Sequence, residues 1–266
     1  MKTDDDARYN TAATGSTPGE AKHAEFRPYH SQGDLGTYRR NLPHWQQKGA
    51  TYFVTFRQAD SIPKAVLAQW QDTKERWFSA NGIPLAWERS APDQFTEACR
   101  ALPYEQRREF ERRQARMLHD ELDRCRGSCL LRQSGLREIV ANSLHYFDST
   151  RLWLGDFVIM PNHAHALLQP FRGWKLEKLL GSIKQRSSRR IREILRERDD
   201  NDARIAALLQ LDRFWQPESF DRIVRDGNEL NACRRYIALN PRKAHLSDKE
   251  FTYYKAQWLG PFNLEI

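Results

Sequence analysis

Regular alternation of apolar and polar positions starts near Ala50. In GATYFVTFR, Tyr52, Val54 and Phe56 fall on one face of an extended chain and Phe53 and Thr55 on the other, which predicts a strand. The period then changes. In IPKAVLAQWQDTKERWFSANG, Val66, Leu67, Trp70, Lys74 and Trp77 recur at helical spacing, with Pro63 suited to the first turn and Gly82 to the stop. SGLREIVANSLHYFD puts Leu136, Ile139, Val140, Ser143, Leu144 and Phe147 on one helical face. RLWLGDFVIMP and HAHALLQP are strand-length apolar runs joined by Pro161-Asn162, so an antiparallel hairpin is expected. WKLEKLLGSIKQRSSRRIREILRER returns to the helical period on Leu176, Leu180, Ile183 and Ile194, and DDNDAR reads as a loop or frayed end. FWQPESFDRIVRD looks like a short strand and turn, and GNELNACRRYIALNP a last helix stopped by Pro241. Strands alternating with helices, one tight hairpin among them, argue an α+β fold with helices packed on a sheet.

Two stretches break this pattern. Residues 1–36 are polar, aperiodic and rich in Gly, Thr and Asp, and are expected to be a disordered tail ahead of a single domain over 37–266. From about 88 to 132 the chain turns densely charged. YEQRREFERRQARMLHDELDRCRG is helical, with a thin apolar stripe of Phe110, Met117 (or Leu118) and Leu122. It reads as a solvated helix inserted between core elements, or as a surface that grips nucleic acid.

The hairpin carries the first candidate chemistry. His163 and His165 sit at alternate strand positions, so both imidazoles point the same way while Ala164 and Ala166 point the other. Packing or metal ligation accounts for such a pair taken alone. On the last helix, Leu230, Cys233 and Ile237 form the face that anchors it to the sheet, Tyr236 and Asn240 stack one turn apart on its border, and Arg234, Arg235 and Ala238 fall outside that arc. Tyr236 alone also suits a half-buried packing role, and Asn240 a helix end. If the border abuts the histidine face, however, two imidazoles, a carboxamide oxygen and a phenol share one site. Those ligands suit Mg²⁺ or Mn²⁺, with water and a substrate phosphate completing the shell. The phenol could then attack phosphorus and become covalently joined to DNA. A hydrolase barrel of the His-x-His type would need more ligands downstream, and only His245 follows His165.

Charge narrows the partners. Lys and Arg number 43 against 35 Asp and Glu, a net charge of +8, which favours polyanions. Lys184, one turn after Leu180 and near the sheet, is a candidate phosphate contact, as are Arg222 and Arg225 after the ESFD block. The start has no apolar leader and no apolar run is long enough to cross a bilayer, so the protein is expected in the cytoplasm, with the nucleoid, and not in a membrane. Its four cysteines are expected as reduced thiols.

With these residues in place, MPNHAHALL resembles the HUH motif, and YIALNPRKAHL resembles the tyrosine motif of single-tyrosine HUH transposases. The blocks LPHW…GATYFVTFR and FWQPESFDRIVRD are similar to those of the REP-associated tyrosine transposases. The resemblance runs discontinuously from about Arg40 to Leu246. It implies a ferredoxin-like antiparallel sheet with flanking helices, plus the charged helical insert. It implies His163 and His165 as metal ligands, Asn240 as the third, and Tyr236 as the nucleophile of a 5′-phosphotyrosine intermediate. The implied substrate is single-stranded, hairpin-containing DNA, cleaved and rejoined with Mg²⁺ or Mn²⁺ and no nucleotide cofactor, by a monomer or a homodimer. The competing expectation is a sequence- or hairpin-specific DNA-binding regulator without catalysis.

Overall fold

The computed structural model describes residues 24–30, 35–39, 43–197 and 202–262. In chain order its elements are β1 (Leu35–Arg39), β2 (Pro43–Gln47), β3 (Tyr52–Arg57), α1 (Lys64–Ala80), α2 (Trp87–Ser90), α3 (Pro92–Ala101), α4 (Tyr104–Asp123), α5 (Ser134–His145), β4 (Leu152–Ile159), β5 (His163–Pro170), α6 (Leu176–Glu197), α7 (Ala203–Gln210), β6 (Phe220–Ile223), α8 (Gly227–Lys243) and β7 (Thr252–Tyr254). β1 and β2 pair as a separate antiparallel ribbon. The main sheet runs β6-β3-β5-β4-β7, antiparallel throughout. Numbered among themselves, β3, β4, β5 and β6 stand in the order 4-1-3-2, with α5 and α6 as the two crossovers. That is the ferredoxin-like arrangement, and β7 extends it at the β4 edge.

The alternation in β3 sorts the two faces. Tyr52, Val54 and Phe56 join Ala164, Ala166 and Leu168 of β5 in the larger core, beneath Leu136, Val140 and Leu144 of α5 and Leu180, Ile183 and Ile191 of α6. The small Ala164 fits because Phe56 and Ile159 flank it in register on either side. Phe53 and Leu167 face the other way, toward Leu230, Cys233 and Ile237 of α8.

β4 needs a correction of phase to serve both layers. Leu152 and Leu154 face the larger core, and so do Phe157 and Ile159, because the register slips between Leu154 and Phe157. Gly155 sits in that bulge, where a Cβ would lie only 2.7 Å from the Leu167 Cβ. The slip turns Asp156 to meet Arg234 Nε of α8 at 2.9 Å, with both side chains fully buried. Arg234 also donates to Leu259 O and Gly260 O, and Asp156 accepts from the Ala256 amide. Arg234 thus belongs to the packed side of α8, one turn after Leu230, although the apolar arc omitted it. A charged residue enters that face because its partner is buried there too.

Other expectations change as well. Within the stretch expected to be a disordered tail, residues 24–30 are docked: Thr51 N–H donates to Arg27 O, Tyr29 N–H to Val224 O, and Phe26 packs on the α8 core. The Gln169 carboxamide clamps this segment, accepting from Arg27 N–H and the Thr51 hydroxyl and donating to Glu25 O. Residues 1–23 and 31–34 of that stretch lie outside the described residues. Pro241 does not stop α8, which closes two residues later with Ala244 N–H on Asn240 O. A proline in the last turn forfeits one N–H and lets the turn finish. In DDNDAR, residues 199–201 lie outside the described residues, but α7 begins at Ala203 and buries Ile205 and Leu208. The charged insert is three helices, α2 to α4, which share with α1 a small separate core around Phe78, Ile83, Phe95 and Phe110.

Candidate active site

β5 presents His163 and His165 on the sheet face covered by α8, both with no exposed surface. Burial pushes His163 down to about 3 and His165 well below the usual imidazole range, so both rings are neutral at physiological pH. Neighbours fix their orientation. Asn162 Oδ1 lies 2.8 Å from His163 Nδ1, and a carboxamide oxygen only accepts, so the proton sits on Nδ1 and Nε2 keeps its lone pair. Asn162 is held the same way round by its Nδ2 donating to Arg126 O. His165 Nδ1 is 2.8 Å from the Thr55 hydroxyl, which can accept or donate.

The two Nε2 atoms stand 3.0 Å apart. That spacing is short enough for both nitrogens to reach one ion about 2.1 Å from each. A third donor is on hand in α8: Asn240 Oδ1 is buried without a hydrogen-bond partner among the described residues. No group of three or more His, Cys, Asp or Glu among the described residues is arranged to hold an ion. The donor set that fits is thus two imidazoles and a carboxamide oxygen.

The Tyr236 hydroxyl lies 3.5 Å from His165 Nε2, and the Tyr236 ring packs edge-on against Phe53. Helical spacing puts Tyr236 and Asn240 on the border of α8, and the fold brings that border to the histidine pair within one chain. Burial raises the phenol well above its usual range and the Asp123 carboxylate adds to this, while the Asn240 amide works the other way. Tyr236 is therefore protonated at neutral pH.

Two further residues reach the site from α4, whose sequence reads as a solvated helix or a gripping surface. His119 stacks on Tyr236, with ring centroids 5.1 Å apart, and its Nε2 is 3.5 Å from the Thr55 hydroxyl. Burial pushes its imidazole down to about 4, and the nearby Arg222 and Lys243 push the same way. Asp123 accepts from Asn240 Nδ2 at 3.2 Å and pairs with Lys243 at 2.7 Å. Their spacing in the sequence carried a hint: His119 and Asp123 are one turn apart, like Tyr236 and Asn240.

The three basic candidates divide. Arg222 lies over the Phe53 ring at the edge of the site and pairs with Glu229 at 3.2 Å, while its side chain stays 45% exposed. Arg225 donates to the Tyr104 hydroxyl of α4. Lys184 faces inward instead. Its Nζ donates to Gln216 O, Pro217 O and Ser219 Oγ, so the expected phosphate contact is a brace for the segment leading into β6. An ammonium has three N–H donors, and all three are engaged. Lys184→Ala is expected to cost about 2 kcal/mol of stability in urea denaturation. It should leave the salt dependence of DNA binding unchanged, whereas loss of a phosphate contact would lower that slope.

Comparisons with known proteins complete the description. Residues 131–240, which hold all four residues of the site expected from sequence, match the family model described as "Transposase IS200 like". Among solved structures, the chain is similar to a REP-associated tyrosine transposase bound to a REP hairpin, at 13% identity over 77% of this chain and 72% of that one, with a TM-score of 0.35. No curated protein matches the chain. None of the helices among the described residues is long and apolar enough to cross a membrane.

Proposed function

We propose that the chain, whose residues 131–240 match the family model described as "Transposase IS200 like", cleaves and rejoins single-stranded, hairpin-containing DNA through Tyr236, in the manner of the REP-associated tyrosine transposases. The observation that carries the reading is the approach of the Tyr236 hydroxyl to His165 Nε2, 3.5 Å apart in a single chain. The two blocks that resemble the REP-associated branch, in order with the HUH and tyrosine motifs, support the finer assignment.

In this reading the phenol oxygen attacks phosphorus, a P–O bond to Tyr236 forms, the bond to the 3′ oxygen breaks, and a 5′-phosphotyrosine results. One phosphodiester replaces another, so no nucleotide need be hydrolysed, and the reverse attack by a 3′ hydroxyl rejoins the strand. The proton lost by the phenol matches the one taken up by the leaving 3′ oxygen. His163, His165 and Asn240 would hold Mg²⁺ or Mn²⁺, which when bound offsets charge on the phosphate oxygens. Neutral rings suit that role, since a protonated imidazole has no lone pair to give. Phe53 and His119 keep the phenol ring beside the histidines. Arg222 of β6, over the Phe53 ring at the edge of the site, and Arg225, in the segment that follows β6, are assigned to phosphate contacts. A site completed within one chain is compatible with action as a monomer.

The test is a hairpin-containing strand labelled on the 3′ side of the expected cut, incubated with the full chain and Mn²⁺ and run on a denaturing gel. Label should migrate with the protein, and chelator should abolish the shifted band. Cleavage without protein-linked label would make water the nucleophile and overturn the reading. Tight binding with neither product would leave a hairpin-binding regulator.

A further inference from the structure

The charged insert stands outside the ferredoxin-like unit, yet its longest helix faces the residues assigned to cleavage. His119 and Asp123, one turn apart on α4, meet Tyr236 and Asn240, one turn apart on α8, partner for partner. The second contact has a chemical direction. A carboxamide can present either its oxygen or its nitrogen to a neighbour, and the two ends are similar in size. Asp123 Oδ1 receives Asn240 Nδ2 at 3.2 Å, and a carboxylate can only accept. The amide is therefore held nitrogen toward the insert, which turns Asn240 Oδ1, buried and without a partner among the described residues, away from Asp123. Lys243 Nζ, 2.7 Å from Asp123 Oδ2, holds the carboxylate in turn.

We infer that Asp123 of the insert is a positioning residue of the metal centre, acting through Asn240 by fixing which end of its amide faces the ion. The inference rests on the proposed ligand set of His163, His165 and Asn240. It gives the insert a defined role, in which α4 completes the outer layer of a site whose inner residues all lie in the transposase domain. Without Asp123 the amide can rotate and offer N–H donors toward the cation, which an ion repels. Outer-layer partners of metal ligands typically change metal affinity by about 10- to 100-fold.

Mn²⁺ itself is the probe, titrated into the full chain without DNA and followed by the electron paramagnetic resonance of free Mn²⁺. Asp123→Leu, similar in size but with no acceptor, is expected to weaken binding about tenfold. Asp123→Asn, which still offers a side-chain oxygen to Asn240 Nδ2, should retain most of the affinity. In an Asn240→Ala background, Asp123→Leu should change nothing further, because the residue it acts through is gone. Thermal melts of each variant check folding. Equal losses for Asp123→Leu and Asp123→Asn, or losses that add in the double variant, would overturn the positioning role while leaving the ligand set standing. A parent chain whose Mn²⁺ affinity is unaffected by His163→Ala would overturn the ligand set and the inference together.

Discussion

Tyr236→Phe is expected to abolish the protein–DNA adduct in the labelled-strand assay and to lower strand cleavage on the order of 10⁴-fold or more, the scale seen when a catalytic unit loses its nucleophile. The substitution isolates the oxygen. Phenylalanine keeps the ring that stacks on His119 and meets Phe53 edge-on, so α8 stays seated and the histidine pair is undisturbed. Hairpin binding and Mn²⁺ affinity should therefore remain within about twofold of the parent, a difference of less than about 0.5 kcal/mol. An adduct that persists in this variant would move the nucleophile elsewhere.

Asp156→Ala is expected to lower stability by about 3–5 kcal/mol, read as a fall in the urea midpoint with little change in slope. The cost arises less from the lost attraction than from the guanidinium left behind. Arg234 is 1% exposed, and without Asp156 its positive charge would face the carbonyls of Leu259 and Gly260 and the Phe262 ring, with no counter-charge. Removing both charges with Asp156→Ala and Arg234→Met should cost less than Asp156→Ala alone, because no unpaired ion is then buried. A loss below about 1 kcal/mol for Asp156→Ala would mean that apolar contacts alone seat the tyrosine helix.

Much of this molecule was legible in its alternation. The two faces of β3, the hairpin turned at Pro161-Asn162 and the inward set of Leu230, Cys233 and Ile237 follow from periodicity, because apolar burial is the dominant local signal. The parallel aim of His163 and His165 follows from the strand period. What escaped depends on charged groups finding partners far along the chain. Arg234 reads as solvent-facing until the bulge at Gly155 turns Asp156 toward it, 78 residues away. Lys184 reads as a phosphate contact on a basic helix until the loop before β6 offers it acceptors. The meeting of Asp123 with Asn240 spans 117 residues and joins two segments whose own patterns say nothing of each other. Periodicity shows which side of an element is apolar, and it is silent on which polar group another element will supply.

Gln169 bears on where the folding unit begins. It is 3% exposed near the end of β5, and its side chain bonds to Glu25 O and the Arg27 amide, ahead of everything the alternation identified as domain. A chain cut back to residue 37 would leave the Gln169 Nε2 and the Thr51 amide facing no acceptor, at about 1–3 kcal/mol each. The short stretch around Arg27 is therefore part of the foundation, and trimming to the residues whose pattern marks them as domain would undermine the strand that carries both histidines.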